Sequence, residues 1–163
     1  MIKIITTGPE CSGKTTLCEM LSLHLNIPYC KEYAREYLNK FSLSYTIEDL
    51  LKIAKEQLKR EKEFQLLDTD LFTLKIWSEY KYGKCDDLIL NTLERQKKEE
   101  RFYLLCQPDI NWQADKQREN QHNRDELFKI YENEIKISGH KYLIITKKNR
   151  NSEIVKEITP LLK

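Results

Sequence analysis

The chain has 163 residues, 40% of them hydrophobic and 33% charged, enough apolar material for one domain with a real core and too much for global disorder. Its 28 basic and 26 acidic side chains leave a net charge of +2, too even to single out a nucleic-acid or membrane surface. No apolar run approaches the roughly 20 residues needed to span a bilayer, and the five cysteines include no Cys-x-x-Cys pair, so a reduced, cytoplasmic protein is expected.

In chain order, Ile2 to Thr6 reads as a buried strand, followed by a glycine loop and a helix to about Leu25 with Leu17, Leu21 and Leu25 on one side. Pro28 to Cys30 is too short to assign with conviction and precedes a helical patch over Tyr33–Leu38. Ile47, Leu50, Leu51, Ala54 and Leu58 mark an amphipathic helix within Thr46–Phe64, with Thr46 as its N-cap. A third strand over Gln65–Leu67 ends at Asp68, and helices over Leu71–Tyr82 and Asp86–Lys98 follow, the first closed by Gly83. Phe102–Cys106 forms a fourth strand. The polar stretch Gln107–Arg124 cannot be core. A helix over Asp125–Ser138 ends at Gly139, Tyr142–Ile145 is a fifth strand, and Ser152 caps a last helix that carries Pro160 near its end. This alternation predicts one α/β domain over 1–163: three layers (α/β/α), a mainly parallel five-stranded sheet, and a lid at about 107–124.

Gly8-Pro9-Glu10-Cys11-Ser12-Gly13-Lys14-Thr15 matches G-x-x-x-x-G-K-[ST] between a strand and a helix, the context of a P-loop. Phosphate oxygens need many donors close together, and such a loop turns its backbone N–H groups inward while the helix start adds free amides. Lys14 is placed to neutralise the β and γ phosphates and Thr15 to ligate Mg²⁺, so ATP with Mg²⁺ is the expected cofactor pair. Cys11 has two readings, a thiol made reactive by Lys14 and the helix start, or a small residue whose backbone does the binding. Asp68 ends the third strand, on the edge where open α/β sheets collect ligands, and is assigned to magnesium or base work. Asp70 serves equally well as a functional acid or as the N-cap of Leu71–Tyr82. Glu32 and Arg35, from spacing alone, read as an ion pair on a solvated helical face. Trp77, with Leu74 and Ile76 beside it, reads as core, whereas Trp112 in its polar loop is a candidate to stack on a base or pyridine ring. The isolated histidines offer no metal site.

Four blocks together resemble a known family. They are residues 8–16, Glu32-Tyr33-Ala34-Arg35-Glu36-Tyr37, Asp68-Thr69-Asp70 with Thr73, Trp77-Ser78-Glu79-Tyr80 and Gly83, and Pro108-Asp109-Ile110-Asn111-Trp112 with Asp115 and Arg118. The chain resembles the ribosylnicotinamide (nicotinamide riboside) kinase domain of NadR-type proteins, among the P-loop ATPases. That resemblance implies ATP-dependent phosphorylation of the 5′-hydroxyl of nicotinamide riboside, to give the mononucleotide. It implies Lys14, Thr15 and Thr16 as the phosphate and magnesium set, and Asp68 and Asp70 as an acidic pair at the catalytic edge. It also places Glu32 and Arg35 beside the substrate, and Trp112, Asp115 and Arg118 in a lid. Arg118 and Arg124 are then suited to closing on the γ-phosphate. Asn111 and Lys116 depart from the proline and glycine frequent in the family. Without the adenylyltransferase and DNA-binding regions of longer relatives, a stand-alone kinase is expected. Alternatives on the same fold are a kinase for another nucleoside or metabolite and a regulatory ATPase switch. The expected partner is a small nucleoside, with no nucleic acid and no membrane; oligomeric state leaves no trace in these motifs.

Overall fold

A computed structural model describes residues 1–41, 44–151 and 153–162. Five strands, β1 (Lys3–Thr7), β2 (Tyr29–Cys30), β3 (Leu66–Asp68), β4 (Arg101–Cys106) and β5 (Lys141–Ile145), form one sheet in the order β2-β3-β1-β4-β5. Every pairing is parallel, with Ile5 opposite both Leu67 and Tyr103. Among the described residues seven helices connect or flank the strands: α1 (Lys14–Leu25), α2 (Tyr33–Lys40), α3 (Ile47–Arg60), α4 (Leu71–Tyr82), α5 (Asp87–Gln96), α6 (Arg124–Ser138) and α7 (Glu153–Ile158).

Alternating side chains on the strands divide the core in two. Ile5, Leu67, Tyr103 and Leu105 face a layer built from α2 to α6, where Leu50, Ile76, Ile89 and Tyr131 pack. Ile4, Leu66, Leu104, Cys106 and Ile145 face the other way, onto Leu17 and Leu21 of α1 and Ile154 and Ile158 of α7. The sheet is therefore buried on both faces, which is why its strands read as nearly continuous apolar runs.

Local chemistry sets the element ends. Thr46 and Asp49 form a reciprocal capping box at the start of α3. The α3 helix stops at Arg60 instead of reaching Phe64, and a 3-10 turn covers Glu61–Glu63. There the Lys3 ammonium donates to the carbonyls of Glu61 and Phe64 at 2.7 and 2.6 Å, satisfying acceptors that further helical turns would otherwise use. The α5 helix likewise ends two residues short of Lys98. β2 exists because β3 pairs with it, Tyr29 against Leu66 and Cys30 against Leu67. Gly83 and Gly139 are the C-caps of α4 and α6. The expected cap at Ser152 lies outside the described residues; α7 ends at Ile158 and gives way to a 3-10 turn over Thr159–Leu162, which contains Pro160.

Candidate active site

β1 is followed across to β3 on one side and β4 on the other, so a crevice opens beyond its carboxyl end. The loop from Gly8 to Gly13 fills that position. Gly8 has φ 134°, and a Cβ there would lie 2.5 Å from the Cys106 carbonyl oxygen, so only glycine fits against the end of β4. Ser12 Oγ and Lys14 Nζ both donate to the Pro9 carbonyl, at 2.7 and 2.8 Å, bracing the turn from within. Among the described residues no side chain caps the start of α1, which leaves its first amides available to an anion.

Beyond the loop, Thr15 Oγ1 donates to Asp68 Oδ2 at 2.7 Å, and Thr6 Oγ1 donates to Asp68 Oδ1 at 3.4 Å. Asp68 is buried while Thr15 is exposed to the crevice. Burial pushes the Asp68 carboxyl up, against the pull of the Thr15 hydroxyl and the Lys14 charge. Glu32, at the N-cap position of α2, lines the same cavity, and no described residue hydrogen-bonds its carboxylate. Burial first and the Asp68 charge second raise it to about 7, with Lys14 and Arg35 opposing. Like charges close together hold one carboxyl near neutrality, while the other, Asp68, has hydroxyl donors at both oxygens to favour its anion.

Residues 107–123 carry no helix or strand and lie over the crevice. They are held to the glycine loop: Glu10 Oε2 accepts from the amides of Glu119 at 3.0 Å and Asn120 at 2.8 Å, and Cys11 Sγ accepts from the Gln113 amide at 3.3 Å. Arg124 Nη1 donates to the carbonyls of Cys11 and Ile110, at 3.0 and 3.2 Å. They are also held to α2, where Arg35 pairs with Asp115 at 3.2 Å and Gln117 Nε2 donates to Asn39 Oδ1 at 2.6 Å. The cavity beneath measures about 150 Å³.

Hard oxygen donors at Thr15 and Asp68, beside a loop built for phosphate, are the donor set that Mg²⁺ prefers. Among the described residues no group of three or more His, Cys, Asp or Glu could hold a metal without a ligand's help. No helix among them is long and apolar enough to cross a membrane.

A model of the AAA domain family matches residues 3–152. The chain belongs to the AAA domain family. Among solved structures this AAA domain is similar to the NadR protein in complex with NR, at 19% identity and a TM-score of 0.71 over 97% of this chain. It is similar to NadR in complex with NAD and AMP-PNP at 18% identity and a TM-score of 0.72, again over 97%. It spans 51% and 49% of those two chains, about half the length of the NadR structures it matches. Shikimate kinase from Aquifex aeolicus is similar at 24% identity and a TM-score of 0.54, over 99% of this chain and 96% of its own. At these identities the likeness is one of fold, the three-layer P-loop architecture with its parallel sheet. No curated protein matches by sequence.

Within the AAA domain the structure gathers Glu10 to Thr16, Glu32, Arg35 and Arg118 around one cavity. Other expected residues stand elsewhere. Asp70, expected as a substrate contact or a cap, is 1% exposed: Oδ1 accepts from the Phe72 amide at 3.1 Å and Oδ2 from Tyr103 Oη at 2.6 Å and Arg101 at 3.3 Å. Its oxygens are occupied by the cap and a buried ion pair, which leaves nothing for a substrate. Trp112 and Asp115 are not among the cavity-lining residues. Trp112 is flanked instead by the guanidinium groups of Arg118 and Arg124, 5.9 and 5.5 Å from its ring centre. Arg124, expected at the phosphates, is not among the cavity-lining residues and turns Nη1 to two loop carbonyls. Trp77 corrects the expectation of a purely core role, since it packs against the core and also lines the cavity, with Tyr45 stacked at 6.1 Å. Leu38, Ile110, Gln113 and Gln117 complete the wall. Sequence offered little to find them, because apolar neighbours assign Trp77 and Leu38 to the core, and glutamines in a polar loop look solvated.

Proposed function

We propose that the chain is an ATP-dependent small-molecule kinase and that its acceptor is nicotinamide riboside, phosphorylated on the 5′-hydroxyl. The observation that carries this reading is a free carboxylate, Glu32, in the same cavity as the glycine loop and Thr15, whose hydroxyl donates to Asp68 behind it. A hydrolytic switch needs only to place a water; an alcohol acceptor needs a base with room in front of it.

In this reading the loop amides and Lys14 hold the β and γ phosphates. Thr15 and Asp68 would hold Mg²⁺, which when bound neutralises charge on the phosphate oxygens. Glu32 accepts the proton of the acceptor hydroxyl as its oxygen bonds to the γ-phosphorus, and the bond to the bridging oxygen of ADP breaks. Arg118, lining the cavity from the lid, offsets charge that develops on the transferred group. Trp77, backed by Tyr45, supplies a flat wall for the acceptor ring, and the face of an aromatic ring favours a cationic partner such as a pyridinium. An uncharged nucleoside or a shikimate-like alcohol would gain less from that pairing.

The test is ADP release measured with MgATP and nicotinamide riboside, other nucleosides, shikimate, or no acceptor. Release stimulated by nicotinamide riboside well above every other condition is expected. Stimulation by a different alcohol would keep the kinase and replace its acceptor, and equal release everywhere would remove the kinase.

A further inference from the structure

The side chain of Glu10 belongs to the nucleotide loop in sequence, but its hydrogen bonds are made to the cover. One oxygen, Oε2, takes two successive lid amides, Glu119 and Asn120, at 3.0 and 2.8 Å. An ionised carboxylate is a stronger acceptor than any neutral group, and two adjacent N–H donors on one oxygen make a grip more specific than a surface ion pair. The grip is partly out of water, since burial pushes the Glu10 carboxyl up while the Asn120 and Glu119 amides pull it down. The lid needs such a fastening. Residues 107–123 form no helix or strand and make few backbone hydrogen bonds of their own. Among them are the turns from Arg118 N to the Asp115 carbonyl at 3.0 Å and from Asn123 N to the Asn120 carbonyl at 3.4 Å, so other backbone donors must find partners elsewhere. Glu10 is four residues from Lys14, so a short rigid turn joins the cover's anchor to the ammonium assigned to the phosphates.

We propose that Glu10 is a positioning residue that latches the lid onto the nucleotide loop, so that the cover excludes water from a γ-phosphate held by that same loop. The inference rests on the kinase reading above and adds a control to it: Glu10 sets the ratio of phosphoryl transfer to wasted hydrolysis. It acts through the lid amides and need not touch either substrate. Lid-borne Arg118 is held in register by the same latch, since Glu119 is the next residue.

The test compares the wild-type chain with Glu10→Ala, Glu10→Gln and Asn120→Pro. The last removes one lid donor and leaves the nucleotide loop intact. Two measurements are made on each: the ratio of acceptor-stimulated to acceptor-free ADP release, and hydrogen exchange at the Glu119 and Asn120 amides. Glu10→Ala removes both charge-assisted hydrogen bonds of the latch and is expected to lower the ratio at least about tenfold and to speed exchange at both amides. Glu10→Gln keeps a carbonyl acceptor and is expected to recover most of both. Asn120→Pro is expected to lower the ratio in the same direction, and decides the matter should Glu10→Ala not fold. An unchanged ratio in Glu10→Ala and Asn120→Pro overturns the latch, whether or not exchange changes. A wild-type chain that shows no acceptor stimulation at all overturns the kinase reading instead, and unchanged exchange in Glu10→Ala would then overturn the latch separately.

Discussion

On the proposed kinase reading, Glu32 and Asp68 would divide two roles by their surroundings. Asp68 has both oxygens engaged by hydroxyls, whereas Glu32 opens into the cavity with its carboxyl raised to about 7. Glu32→Gln is therefore expected to lower acceptor-dependent kcat by roughly 10²- to 10⁴-fold. It should also abolish an acidic limb near pH 7 in the rate profile. The same group has a second signature. Its folded-state pKa lies above the unfolded value, so between about pH 4.5 and 7 the folded chain holds a proton that the unfolded chain has lost. Stability from this group is complete below that window and is lost as pH rises through it. Thermal melts of Glu32→Gln should match the parent near pH 4 and exceed it by a few degrees at pH 8, about 1 kcal/mol after allowance for partial exposure. Trp77→Leu is expected to raise the acceptor KM severalfold to tenfold, the worth of one aromatic stack, and to leave the KM for ATP in place. Spacing alone showed Glu32 as half of an ion pair with Arg35, and only the family resemblance placed it beside the substrate. In the structure Arg35 pairs with Asp115, a partner far off in the chain that no local spacing reveals.

Among the elements, α4 shows how a conspicuous acid can have a structural task. Asp68 and Asp70 stand two residues apart and look alike in sequence, but Thr69 between them has φ 68°, and the chain turns there. One carboxylate is left under the crevice and the other is taken beneath the sheet to Arg101. Arg101 is buried between Asp70 at 3.3 Å and Glu61 at 2.8 Å, tying the end of α3, the start of β4 and the cap of α4 together. Arg101→Met would leave two acids buried without their cation, and urea denaturation should show a loss of roughly 3–5 kcal/mol. That network was not legible, because its members are 31 and 40 residues apart in the chain. Thr46 was legible, since an N-cap depends only on its own turn. The brief strand β2 was the opposite case: two residues carry no period, and only pairing with β3 makes them a strand.

For the molecule as one body, the sheet order gathers the loop after β1, the start of α2 after β2, Asp68 at the end of β3 and the lid after β4 along one edge. Strand–helix alternation was enough to foresee the parallel sheet and its two helical layers, because that pattern is repeated down the chain. It could not give the order of strands, which decides what meets at the crevice. A cavity of about 150 Å³ is smaller than the roughly 300 Å³ at which ligand pockets begin, so on the proposed kinase reading the cover would have to lift to admit substrates. MgATP at a hundred times its Kd should then raise the melting temperature by about 5–10 °C, from roughly 2.7 kcal/mol of linkage. Lys14→Ala should melt normally alone and lose that shift.

The chain's two tryptophans report on different parts of this site. Trp77 belongs to the fixed wall beneath the crevice, and Trp112 rides on the cover between two guanidinium groups. Their fluorescence provides a built-in pair of dyes: replacing one by phenylalanine leaves the other to time either the arrival of an aromatic guest or the opening of the roof, with no label attached.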